Sequence, residues 1–104
     1  MTNIIFTNNE EVGWNKLLAI QKEMNDMGVE TIRKVKSKRS FMDFKNGIRW
    51  QVIDPCESAR GYKYFQCYVD VKNTTLLQWQ RVILPTYCGS WEDKRLNIRY
   101  FNYD

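Results

Sequence analysis

Apolar positions along the chain fall into short alternating runs separated by one long stretch of helical period. Residues 3–6 carry Ile4, Ile5 and Phe6 and read as a strand. Residues 7–27 place Leu17, Ile20, Met24 and Met27 at spacings of three and four, which predicts a helix burying one face. Asn8 with Glu11 three residues on fits a capping box. Glu10 and Glu11 suit the positive end of the helix dipole, and Gly28 suits a left-handed stop. Two apolar runs, residues 41–44 and 48–53, flank Lys45-Asn46-Gly47. Asn-Gly is the preferred pair for a two-residue hairpin turn, because both positions tolerate positive φ. That turn sets Phe41 opposite Val52 and Asp43 opposite Trp50. Apolar side chains on both faces of the hairpin imply a sheet covered at least partly on each side.

The second half repeats the scheme. Residues 64–71 alternate, with Phe65, Cys67, Val69 and Val71 facing one way. Residues 74–84 read as a short helix with Leu76, Trp79 and Ile83 on one side, stopped before Pro85. Residues 95–102 alternate again. The order strand, helix, hairpin, strand, helix, strand predicts a single small α/β domain over residues 1–104. Its sheet is mixed and mostly parallel, of about five strands, with a β-hairpin and two main helices.

Composition narrows the chemistry. Four Trp, six Tyr and five Phe in 104 residues are enough for one core. The absence of histidine excludes a His general base, a Ser-His-Asp triad and a His-ligated metal. Cys56, Cys67 and Cys88 are odd in number and widely spaced, so neither a CxxC zinc pair nor an even disulfide framework is available. Reduced thiols suit a cytoplasmic setting. The run Ile4-Ile5-Phe6 is too short for a signal-peptide core or a membrane span, so no membrane partner is expected.

The net charge of +4 is unevenly spread. Arg33, Lys34, Lys36, Lys38, Arg39, Lys45 and Arg49 lie within seventeen positions that hold one acid, Asp43. Cations close to Phe41, Trp50 and Tyr62 are what phosphate contact with base stacking would use. The plainer alternative is a solvated edge strand whose lysines discourage aggregation. Trp91 and Tyr87, in a loop before the last strand, are candidate anchors for a protein partner.

The stretch 41–87 resembles the second half of the ATPase core in the large subunit of phage terminases. The pieces that carry the likeness are Phe44-Lys45-Asn46-Gly47, Ser58-Ala59-Arg60-Gly61-Tyr62, Tyr68-Val69-Asp70, and the run from Trp79 to Leu84-Pro85. The stretch 41–87 covers somewhat under half of the chain. The resemblance implies a P-loop NTPase-like scaffold of phage or prophage origin, acting in the host cytoplasm, with Arg60, Gly61 and Asp70 at motif positions. It also implies that Asp70 would anchor magnesium through water and that a glutamate would follow it. Val71 stands there instead, and a valine accepts no proton. No GxxxxGK[ST] loop exists; Gly13-Trp14-Asn15-Lys16 lacks the leading glycine and the Ser/Thr, and it falls inside the first helix. No spacing brings Asp43, Asp54 or Glu57 to Asp70, so neither a metal nor any other cofactor is expected. The expectation is a non-catalytic accessory protein binding nucleic acid or a nucleoprotein machine. The alternative is a host-directed module that inhibits or redirects a bacterial enzyme through its aromatic surface.

Overall fold

The computed structural model describes residues 1–56, 59 and 61–103. Within them the chain forms a mixed sheet with helical cover on both faces. The strands are β1 (Thr2–Phe6), β2 (Thr31–Val35), β3 (Phe41–Phe44), β4 (Arg49–Ile53), β5 (Cys67–Asp70) and β6 (Ile98–Phe101). They lie in the order β2-β3-β4-β1-β5-β6. β1 runs parallel to both β4 and β5, and β5 runs parallel to β6, while β2-β3 and β3-β4 are antiparallel. The α/β single-domain reading holds. The sheet has six strands rather than about five, and its parallel pairings outnumber the antiparallel ones only three to two.

The extra strand is β2, which runs through the start of the basic cluster. Its middle residues Ile32, Arg33 and Lys34 are exposed, so no apolar alternation marks it. The hairpin register is one residue off the expected one: Phe41 faces Gln51 and Asp43 faces Arg49. The loop has three residues. Phe44 N–H donates to Ile48 O, Gly47 N–H donates to Phe44 O, and Gly47 sits at φ +85°. That is the three-residue loop closed by a left-handed glycine, and it shifts every pair by one.

The long helix α1 spans Glu10–Asp26 rather than starting at residue 7. Thr7 is otherwise engaged: its hydroxyl donates to Asp70 and accepts from Asn9 N–H. Asn9, not Asn8, is therefore the cap, and its side chain accepts from Val12 N–H. At the far end Gly28 N–H donates to Asn25 O and Val29 N–H to Met24 O, with Gly28 at φ +83°. This closure leaves Met27 exposed outside the buried face of Gly13, Leu17, Ile20 and Met24.

The expected helix over 74–84 is a single turn, α2 (Leu76–Gln78), running on into a π-helical turn over Trp79–Ile83. Thr75 and Gln78 cap it reciprocally. Leu76 is exposed while Val82 and Ile83 are buried. The last strand begins late because Lys94–Asn97 forms a short helix, α3, which leaves Leu96 in solvent.

Alternation along the central strands divides the core in two. Ile5, Met42, Phe44, Trp50 and Val52 pack under α1 with Leu17, Ile20 and Met24. Ile4, Phe6, Ile53, Cys67, Val69 and Ile98 pack on the other face with Tyr64, Val82 and Ile83. Burial pushes the Cys67 thiol up to about 12. The buried Tyr64 hydroxyl donates to Ile83 O and is likewise pushed up, mainly by desolvation.

Candidate nucleic-acid interface

Strand alternation distributes the basic cluster over two surfaces. Lys34 pairs with Met42 across the β2-β3 ladder, so it lies on the α1 side. There Lys34 and Lys36 both sit against the Trp14 ring, at 5.3 and 5.4 Å from its centroid. Lys34 also donates to Gln21 Oε1. Trp14 escaped the reading of the sequence as a partner of these cations because the contact joins α1 to β2 and leaves no local signal.

The opposite face of β2, β3 and β4 carries Arg33, Phe41, Asp43, Arg49 and Gln51 in two cross-strand rows. One row is Arg33–Asp43–Arg49 and the next is Val35–Phe41–Gln51. The guanidinium of Arg49 lies 4.1 Å from the Phe41 ring centroid and that of Arg33 lies 5.2 Å away. Such contacts hold the cations over the ring. Arg49 also makes a two-pronged contact with Asp43, at 2.6 and 3.0 Å. That hydrogen bond holds the Asp43 carboxyl below its usual range and raises Arg49. The Asp43 carboxylate offsets the charge of Arg49, whereas the Arg33 side chain is exposed.

Beyond these rows, at the carboxyl ends of β1 and β4, the β2-β3 turn presents Lys38 and Arg39. Arg39 donates to the Tyr62 hydroxyl at 2.7 Å and lies 5.7 Å from that ring. Ser40 fixes the turn by accepting from Ser37 N–H and donating to Ser37 O. A cleft of about 300 Å³ opens beside it, lined by Thr7, Asn8, Glu10, Lys38, Arg39, Val52, Asp54 and Cys56.

The structure therefore gathers Arg33 and Arg49 on Phe41, sets Arg39 on Tyr62 at the ends of the strands, and separates Lys34 and Lys36 from the Phe41 group. Lys45 lies at the opposite end of the hairpin, 3.7 Å from Glu30. Trp50, expected beside the cations, is buried under α1 and unavailable for stacking.

Of the motif positions, Arg60 and its neighbours Glu57 and Ser58 lie outside the described residues, and Gly61 is exposed. Asp70 is fully buried at the end of β5. Thr7 Oγ1 donates to its Oδ2 at 2.7 Å, Asn73 Nδ2 to Oδ2 at 2.6 Å and Asn102 Nδ2 to Oδ1 at 2.9 Å. Both carboxylate oxygens are thus engaged by the chain itself. Gly13-Trp14-Asn15-Lys16 lies within α1, where Lys16 sits 4.0 Å over the Tyr68 ring and desolvation lowers its pKa. Among the described residues no three His, Cys, Asp or Glu side chains gather as a metal site would need.

Trp91 is exposed, with Lys94 4.7 Å over its ring and Tyr87 meeting it edge-on at 6.3 Å. Tyr87 itself is half-buried against the core, and its hydroxyl bonds to Ser90 O and Asn97. Among the described residues no helix is long and apolar enough to cross a membrane. Comparison with protein-family models, with curated proteins and with solved structures finds no match to this chain.

Proposed function

We propose that the protein is a non-catalytic module that binds single-stranded nucleic acid across the face of β2, β3 and β4 opposite α1. The observation that carries this reading is the series of guanidinium–aromatic pairs, Arg33 and Arg49 on Phe41 and Arg39 on Tyr62. Aromatic rings on a sheet face stack unpaired bases, and neighbouring cations meet the phosphates. The net charge of +4 favours encounter with a polyanion. The Asp70 carboxylate serves here as an internal tie, since both its oxygens accept from the protein's own side chains.

Fluorescence anisotropy with a labelled octathymidylate at low salt tests this. Phe41→Ala should weaken binding by about tenfold, the size expected for losing one base–aromatic stack. Arg39→Glu should weaken it at least as much, and raising the salt should weaken it further. Lys45→Glu, at the far end of the hairpin, should change little. Absence of binding, or equal losses in all three variants, would refute the interface.

A second reading rests on the exposed Trp91, Leu76, Leu77 and Leu96, which suit a protein partner. It is favoured if oligonucleotide binding is absent and Trp91→Ala abolishes a protein complex.

A further inference from the structure

We infer that the cleft at the carboxyl ends of β1 and β4 receives the terminal phosphate monoester of a nucleic-acid strand, an inference that rests on the single-strand reading of the adjoining sheet face. Three observations converge on the cleft. The first is topological. β1 and β4 are adjacent and parallel, yet the chain leaves them on opposite faces of the sheet. After β1 it enters α1 on one face. After β4 it crosses to β5 through a segment whose Ala59, Tyr62 and Tyr64 pack on the other. Such a divergence opens a crevice outside the carboxyl ends of the two strands, the place where open α/β sheets bind ligands. The cleft of about 300 Å³ lies there, with Thr7 and Asn8 from one side and Asp54 and Cys56 from the other.

The second observation is continuity. Arg39 lines the cleft and also donates to Tyr62. The rows of Arg33 and Phe41 thus lead along the strands towards Arg39 and into the cleft. A strand lying on the sheet face is delivered to Lys38 and Arg39 at its end.

The third observation is the charge beyond them. Glu10 and Asp54 line the same cleft, and the adjoining groove on the α1 side carries Glu10 and Glu11 together with Lys36 and Lys38. A strand that continued past Lys38 and Arg39 would bring its next phosphodiester against these carboxylates. A strand that stops there meets Glu10 and Asp54 of the cleft but not Glu11 of the groove beyond. A terminal monoester carries close to two negative charges against one for an internal diester, so it gains more from two adjacent cations. The cleft is accordingly a site for ends, selecting against continuous strands with its acids and for a terminal phosphate with its bases.

The experiment compares three octathymidylates, bearing a 5′-phosphate, a 3′-phosphate or neither, as competitors against one labelled strand. One phosphorylated form should bind about tenfold more tightly than the unphosphorylated strand, and which form does so identifies the end that is held. Lys38→Ala should erase the ratio between phosphorylated and unphosphorylated strands. Equal binding of all three strands would overturn the end-recognition inference while leaving the sheet-face interface standing. An advantage that survives in Lys38→Ala and in Arg39→Ala would overturn its location in the cleft. Failure of every strand to bind would overturn both readings.

Discussion

Asp70 shows how much a single side chain can hold. Its carboxylate is wholly buried and gathers Thr7 from the end of β1, Asn73 from the turn after β5 and Asn102 from the end of β6. Three parallel strands are thus tied at their carboxyl ends by neutral donors alone. Asp70→Ala would leave the buried Thr7 hydroxyl without its acceptor and release the half-buried Asn73 and Asn102 amides, and a buried unpaired group costs about 1–3 kcal/mol. A loss of about 1–3 kcal/mol should appear as a lowered urea midpoint. The same variant should keep its affinity for an unphosphorylated oligonucleotide below its melting temperature, because no contact joins Asp70 to Arg33, Phe41, Arg39 or Tyr62, although through Thr7 it borders the cleft at the strand ends. From the sequence Asp70 was visible as a strand-end aspartate that, by family resemblance, would anchor a metal. Its partners were not legible, since Thr7 lies sixty-three residues upstream and Asn102 thirty-two downstream.

Helix α1 rests on the sheet at Gly13. A Cβ placed there would stand 2.6 and 2.9 Å from the two Val52 methyls and 3.1 Å from Thr7 Cγ2. Glycine inside a helix ordinarily costs up to about 1 kcal/mol relative to alanine. Here the close approach reverses the sign. Gly13→Ala should destabilise the fold by about 1–3 kcal/mol in chemical denaturation, as overpacking does. Adding Val52→Ala should recover part of that, so that the double variant loses less than the two single losses combined. The same element shows what periodicity can reveal. Leu17, Ile20 and Met24 identified the buried face because helical spacing is a local property. The start of α1 was misplaced because Thr7 answers to Asp70, which is not local. β2 was hidden for a different reason. An edge strand exposed on both faces in its middle carries no alternation, and its Arg33 and Lys34 read only as charge.

For the molecule as a whole, alternation foretold an α/β domain, and the two cores on either side of the sheet follow from Ile4 and Phe6 facing one way and Ile5 the other. The candidate interface was legible as a list and not as a surface. Lys34 and Arg33 are neighbours in sequence, but the pleat sends them to opposite faces, and only the pairing register shows which cations share Phe41. Trp50 was misassigned to the surface on the same account, since one residue of register decides which face a side chain joins.

The place of β1 between β4 and β5 also governs how the chain reaches this state. Asn3 accepts from Gln66 N–H, and Ile4 aligns with Cys67, across a separation of some sixty residues. The central ladder therefore cannot close until a long loop has been drawn together, and its early cost is entropic. Refolding followed by tryptophan fluorescence should proceed over about milliseconds to seconds rather than microseconds. Ile5→Ala should slow that phase less than it accelerates unfolding if the first strand docks late, and the α1 helix with the β3-β4 hairpin would then be the part that forms first.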